Sequence, residues 1–266
     1  MLKFPKNIKD ARILLANDDS IHSHGFKVLE ETIKSICDDV WVVAPETEQS
    51  AVGHSLTIHT PLRMKQYGEK RYSVFGTPTD CVMMGAKHIL ADKKPDLVIS
   101  GINHGHNVAD DVTYSGTVAV AIEGTIIGIP SIAFSNSYDR ETHEYNWDVP
   151  RRNIPKVLLA MQGQSWAENV LINVNFPYVE AGDDAELEMV VCEQGHYEPS
   201  MNDIVKCTDP RGRPYFWIGP PDSDKDKLPK DKDIGQLIRG KGTITPLSLN
   251  LTHKPTLKTL EGIFKS

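Results

Sequence analysis

Short, unbroken apolar runs alternate with amphipathic stretches through the first two-thirds of this chain, and that rhythm constrains its fold more than any other feature. "RILLAN", "VWVVAP", "YSVFGTP", "PDLVISGIN", "PSIAFSN" and "VLINVNFP" have the length and texture of strands covered on both faces. Between them, "GFKVLEETIKSI", "TDCVMMGAKHIL", "SGTVAVAIEGTIIG" and "RRNIPKVLLAMQ" read as helices. Strand–helix alternation of this kind predicts a parallel sheet between two helical layers, a three-layer Rossmann-like α/β/α sandwich over residues 1–180.

The texture then changes. "LEMVVCEQGHYE" and "DIVKCTDPRGRPYFWIGPP" are extended and rich in turn signals, and Asp209-Pro210-Arg211-Gly212 has the chemistry of a tight turn. We expect a β-hairpin arm here, then a charged loop ("PPDSDKDKLPKDKD"), a return strand ("GTITPLSLNLT") and a terminal helix ("TLKTLEGIFK"). Residues 181–266 are thus expected to form a C-terminal extension used in oligomerisation. Tyr215, Phe216 and Trp217 give the hairpin more apolar surface than it can bury against itself, which predicts a homodimer.

Composition narrows the function. The net charge is −7 and no segment is dominated by Lys and Arg, so neither a nucleic-acid polymer nor a membrane surface is expected as the main partner. Cys37, Cys81, Cys192 and Cys207 form no Cys-x-x-Cys pair, so free thiols in a reducing cytoplasm are expected and structural zinc is not. The charged start "MLKFPKNIKDAR" does not read as a signal peptide, and no apolar run reaches the ~20 residues of a membrane span.

Ligands of open α/β sheets bind at the carboxyl ends of the strands. Three polar clusters fall there: Asn17-Asp18-Asp19-Ser20, Glu46 to Ser50, and Asn103 to Asn107. Two adjacent carboxylates joined by neutral donors such as Ser50 and Asn103 make a hard-oxygen cation site; taken alone, the tripeptide is equally a turn with capping groups. Ser115-Gly116-Thr117 opens a helix, as a plain cap or as an anion site. A cation site beside an anion site describes metal-assisted phosphoryl transfer to water. The chain lacks Gly-x-Gly-x-x-Gly, a Walker A sequence and a Gly-x-Ser-x-Gly elbow. His22, His24, His104 and His106 read as exposed loop residues, with a second metal site as the alternative, and His54 lies near the expected mouth.

"ILLANDDSIHSHG", "VVAPETEQSAVGHSLT", "GTPTDCVMMG", "PDLVISGINHGHNVADDVTYSGTVAVAIEG" and "DPRGRPYFWIGPP…ITPLSLNLT" together resemble the SurE family of survival proteins. The resemblance runs from about Arg12 to Leu251. It implies a metal-dependent 5′/3′-nucleotidase that releases phosphate from nucleoside monophosphates, using one Mg²⁺ or Mn²⁺. It implies metal ligation by Asp18, Asp19, Ser50 and Asn103, substrate binding by Asn107, Ser115, Gly116 and Thr117, and catalysis by Asp19, Asn107, Ser115 and Thr117. It also implies dimers with exchanged C-terminal arms, in some members paired into tetramers. A phosphatase for other small esters or short polyphosphate, and a non-catalytic nucleotide-binding regulator, are the alternatives. Ser20 stands where the family usually has Gly, so local strain is expected if that position needs a positive φ. The short segment before Arg12 receives no role.

Overall fold

The computed structural model of the chain describes residues 1–182, 186–197, 204–218 and 228–264. The first half comprises β1 (Leu2–Lys3), β2 (Arg12–Ala16), α1 (His24–Lys34), β3 (Asp39–Pro45), β4 (Met64–Gly68), β5 (Arg71–Val74), α2 (Pro78–Met84), β6 (Leu97–His104) and α3 (Gly116–Ile126). Then follow β7 (Ser131–Asn136), α4 (Asp148–Met161), β8 (Ser165–Trp166), β9 (Val170–Phe176), β10 (Met189–Val191), β11 (Ile204–Thr208), β12 (Pro214–Ile218), α5 (Asp233–Ile238), β13 (Gly242–Ser248) and α6 (Lys254–Phe264).

A nine-stranded sheet in the order β10-β13-β9-β7-β6-β2-β3-β5-β4 forms the middle layer. Strand β2 explains why the apolar runs are unbroken. Ile13 and Leu15 enter the core beneath α1 and α4, whereas Leu14 and Ala16 enter the core on the α2–α3 side. Both faces are covered from Ile13 to Ala16, which are fully buried, so the run stays apolar up to Asn17, itself buried. The three-layer α/β architecture read from the sequence is present.

The sheet is mixed and not wholly parallel, which corrects the expectation for its edges. Strands β5, β3, β2, β6, β7 and β9 run parallel, but β4 pairs antiparallel with β5 and β13 antiparallel with β9. Only two residues separate β4 from β5, and a connection that short permits only a hairpin. Every residue of β4 is exposed, so it carries no apolar signature. Segment 181–266 contributes β13 and β10 to the same sheet.

Helix boundaries moved where local chemistry intervened. Thr77 and Asp80 form a capping box that starts α2, which ends in a π-helical turn over Gly85–Ile89. Helix α4 starts at Asp148, three residues before the apolar pattern, because Pro150 is tolerated in a first turn. The short helix α5 was not anticipated from "DKDIGQLIRG". The β11–β12 hairpin is present, with register from Ile204↔Ile218 to Thr208↔Pro214. The charged loop expected over 220–233 lies largely outside the described residues, as do Glu198 and Asp203 of the expected arm strands.

One buried acid ties the C-terminal segment to the core. Asp233, with no exposed surface, accepts hydrogen bonds from the N–H groups of Ala109 (3.1 Å), Gly195 (2.7 Å) and Ile234 (2.7 Å). The Gln194 amide donates to the Ala109 carbonyl at 2.8 Å. Tyr197 donates its backbone N–H to Asp110 (2.9 Å) and its hydroxyl to Asp111 (2.8 Å). These bonds hold the 3₁₀ turn Ala109–Thr113, which joins β6 to α3, against residues 194–197 and α5.

Candidate active site

Strand β2 delivers Asn17, Asp18 and Asp19 to the carboxyl edge of the sheet, next to the end of β6 and the start of α3. Asp18 is only 4% exposed. Burial, then the charge of Asp19, push its carboxyl up to about 7; the Thr117 hydroxyl and backbone act against this. That hydroxyl donates to Asp18 Oδ1 and lies 3.1 Å from Asn103 Oδ1. Helix α3 comes this close because its first residue is Gly116: a Cβ there would sit 2.6 Å from the Asp18 Cβ.

Strand β6 is irregular where it reaches the site. Its register against β7 shifts between Ser100 and Asn103, the Gly101–Ile102 peptide is cis, and Gly101 takes φ +118°. A Cβ on Gly101 would stand 2.2 Å from the Phe134 carbonyl oxygen, so only glycine fits. Beyond this break Asn103 donates its amide to the Gly105 carbonyl at 2.9 Å. His104 meets Asp19: its backbone N–H lies 3.2 Å, and its Nδ1 2.9 Å, from Asp19 Oδ2.

The remaining sequence-selected residues lie around this centre in different ways. Gln49 donates its N–H to the Asp18 carbonyl at 2.8 Å, which brings the Glu46–Ser50 loop to the site, but the Ser50 hydroxyl donates to Glu48 at 2.9 Å. Ser115 caps α3, accepting the Val118 N–H at 3.0 Å. Asn107 is 6% exposed, and its amide donates to Ser135 at 2.8 Å. His54 Nε2 lies 3.0 Å from the buried Glu123 carboxylate, so it holds its loop to α3.

The reading of His104 and His106 as exposed loop residues is corrected. His104 lies edge-on to Tyr145 and Trp147, with centroids 5.2 and 5.0 Å away. His106 is half-buried with Nδ1 3.3 Å from the Ser137 hydroxyl, and burial followed by the charge of Arg140 lowers its pKa to about 4. Asn173 and Asn175 were also missed. Asn175 accepts the Asn107 N–H at 2.7 Å, while the Asn173 and Asn175 amides donate to the Asn107 carbonyl at 2.7 and 3.1 Å. Their signal was present in "VLINVNFP": two polar residues two apart share one face of a buried strand and require partners there.

Chemically, the centre offers two carboxylates, a neutral amide oxygen and a hydroxyl at a helix start. No Lys or Arg bonds either carboxylate among the described residues, nor do three acidic, His or Cys side chains gather there as a ready metal cluster. A buried carboxylate beside a second one and lacking a cationic partner is poorly compensated, and a divalent cation fits that deficit.

Ser20 closes the turn after the acid pair at φ +86°. The Asn17 amide holds it by donating to the Ser20 carbonyl at 2.8 Å. The strain expected from a non-glycine residue at this position is therefore present. Ser20→Gly should raise stability by about 0.5–1 kcal/mol, the relieved left-handed strain exceeding the entropy glycine adds to the unfolded chain. Urea denaturation measures this, and an unchanged or lower midpoint would contradict it.

Comparisons with known proteins bear on the chain as a whole, by sequence and by fold. The model of the family described as Survival protein SurE matches residues 13–200. A protein of Paramagnetospirillum magneticum named 5′-nucleotidase SurE is 48% identical over 95% of this chain and 95% of its own length. One of the same name from Rhodospirillum rubrum is 44% identical over 97% of this chain and 98% of its own. The crystal structure of the SurE protein from Aquifex aeolicus superposes with a TM-score of 0.80 at 36% identity, covering 94% of this chain and 98% of that one. By sequence along nearly its whole length and by fold, the chain belongs to the SurE family.

Proposed function

We propose that this chain is a metal-dependent phosphomonoesterase that hydrolyses nucleoside 5′-monophosphates, and 3′-monophosphates, to nucleoside and phosphate. The hydrolase class is supported by the relatives named 5′-nucleotidase SurE. The observation that carries the chemistry is the contact between the acid pair and the first turn of α3, where Thr117 bonds Asp18 and Gly116 abuts it. A cation held by the first and a phosphate held by the second would touch.

Asp18, Asp19 and Asn103 would hold one Mg²⁺ or Mn²⁺, joined by Ser50 once its hydroxyl turns from Glu48. Bound there, the ion lowers the pKa of a water and offsets charge on the phosphoryl oxygens. As a ligand of that ion, Asp19 would orient the water toward the phosphorus. Thr117 holds Asp18 in place through its hydroxyl. Ser115, Gly116 and Thr117 present the positive end of α3 to the phosphate, and the buried asparagines of β9 fix Asn107 beside it. Four free cysteines suit a reducing, cytoplasmic location, and no described helix is long and apolar enough to cross a membrane.

Chelation should abolish phosphate release from AMP, and Mn²⁺ or Mg²⁺ should restore it. Asp19→Asn should lose at least about a hundredfold in kcat while remaining folded, since it relieves like-charge repulsion. Full activity in the chelated protein or in that variant would falsify the metal role. Preferred turnover of sugar phosphates or short polyphosphate over nucleotides would shift the substrate class.

We further propose a homodimer built on the arm. Ile218 is 74% and Trp217 63% exposed, and Ile204, Phe216 and Tyr215 are exposed as well. Helix α6 buries none of its residues, leaving Leu260, Ile263 and Phe264 open. Apolar surface on this scale fits a second copy of the chain. Sedimentation should give a dimer mass at low micromolar concentration, or a tetramer if dimers pair. Deleting residues 204–218 should yield monomers. A monomeric parent, or a deletion that leaves the dimer intact, would sink this reading.

A further inference from the structure

We propose that His104 is a positioning residue for Asp19, fixing one carboxylate oxygen so that the other faces the bound cation. The inference rests on the metal reading above. Both N–H groups that His104 can direct at Asp19 meet the same atom, Oδ2: the backbone N–H at 3.2 Å and Nδ1 at 2.9 Å. A carboxylate oxygen only accepts, so Nδ1 carries the proton in this contact. With Oδ2 engaged twice, Oδ1 is left for the cation. The two donors also offset part of the charge that Asp19 places beside the buried Asp18.

The imidazole is held in turn. Its ring lies edge-on to Tyr145 (82°) and Trp147 (73°), which stack on each other at 5.0 Å and 17°. Trp147 also lies 5.4 Å from His24, the first residue of α1. An aromatic wall anchored on two helices therefore sets the ring, and the ring sets the carboxylate. Carboxylates that ligate metals are commonly held by such outer hydrogen bonds, and losing one costs about 10–100-fold in metal affinity.

Mn²⁺ titration of the full chain by calorimetry, with thermal melts of the metal-free proteins, tests this using three variants. His104→Phe keeps an aromatic ring and removes the donor. His104→Asn restores a donor at the Nδ1 position without the ring, and His104→Ala removes both. The expected result is that His104→Ala and His104→Phe bind Mn²⁺ about 10–100-fold more weakly than the parent. His104→Asn should recover most of that loss, whatever the order of the melting temperatures. Phenylalanine binding as tightly as the parent would show that the ring matters only for packing and overturn the proposal. Asparagine as weak as alanine would overturn it too. If the parent itself fails to bind Mn²⁺, the metal reading falls and this inference with it; parent-like binding in all three variants removes this inference alone.

Discussion

The site depends on one contact, that of Asp18 with the first turn of α3. A carboxylate 4% exposed beside a second carboxylate is an unfavourable arrangement, and its pKa near 7 records the cost. The chain accepts it because the Thr117 hydroxyl and the helix start give partial compensation. Glycine at 116 makes this approach possible, since any Cβ would overlap Asp18. The positive end of a helix is thereby fixed against an acid pair, and under the proposed function a cation held there would complete the charge balance.

The connection from β6 to α3 completes the cluster, and it is held both by the central sheet and by the C-terminal segment. Ala109 is gripped at both ends of its residue, its N–H by Asp233 and its carbonyl by Gln194. It adopts φ +49°, a conformation such bonds can stabilise in a non-glycine residue. Two residues earlier, the Asn107 backbone is bonded by Asn173 and Asn175 from β9. The β6–α3 loop is thus set by the sheet and by the C-terminal segment. The segment that presents the apolar hairpin also braces the loop.

Much of this was legible in the sequence because it depends on local chemistry. Unbroken apolar runs marked β2, β3, β6, β7 and β9, since covering both faces leaves no alternation. Asp18, Asp19, Asn103 and Thr117 could be singled out because strand ends and helix starts bring polar groups together, and the structure places Asp18, Asn103 and Thr117 in contact. The usual glycine at the position of Ser20 tied the expected strain to a positive φ there, and the φ is +86°. Strand β4 was not legible, because an exposed edge has no apolar pattern. Nor was the environment of His104: the register break in β6 and the approach of Tyr145 and Trp147 arise from tertiary structure, and a Gly-flanked histidine carries no local sign of either. Asn107 was selected as a phosphate contact, yet its amide is committed to Ser135, a pairing set 28 residues away in sequence.

Under the proposed function Asp18 and Asp19 hold the catalytic cation. Crystals grown with Mn²⁺, with diffraction collected at the manganese absorption edge, test it most directly. One anomalous peak is expected, bonded to both carboxylates and to the Asn103 side-chain oxygen, at the foot of α3. A peak elsewhere, or none at saturating Mn²⁺ in a protein that still releases phosphate, would contradict it.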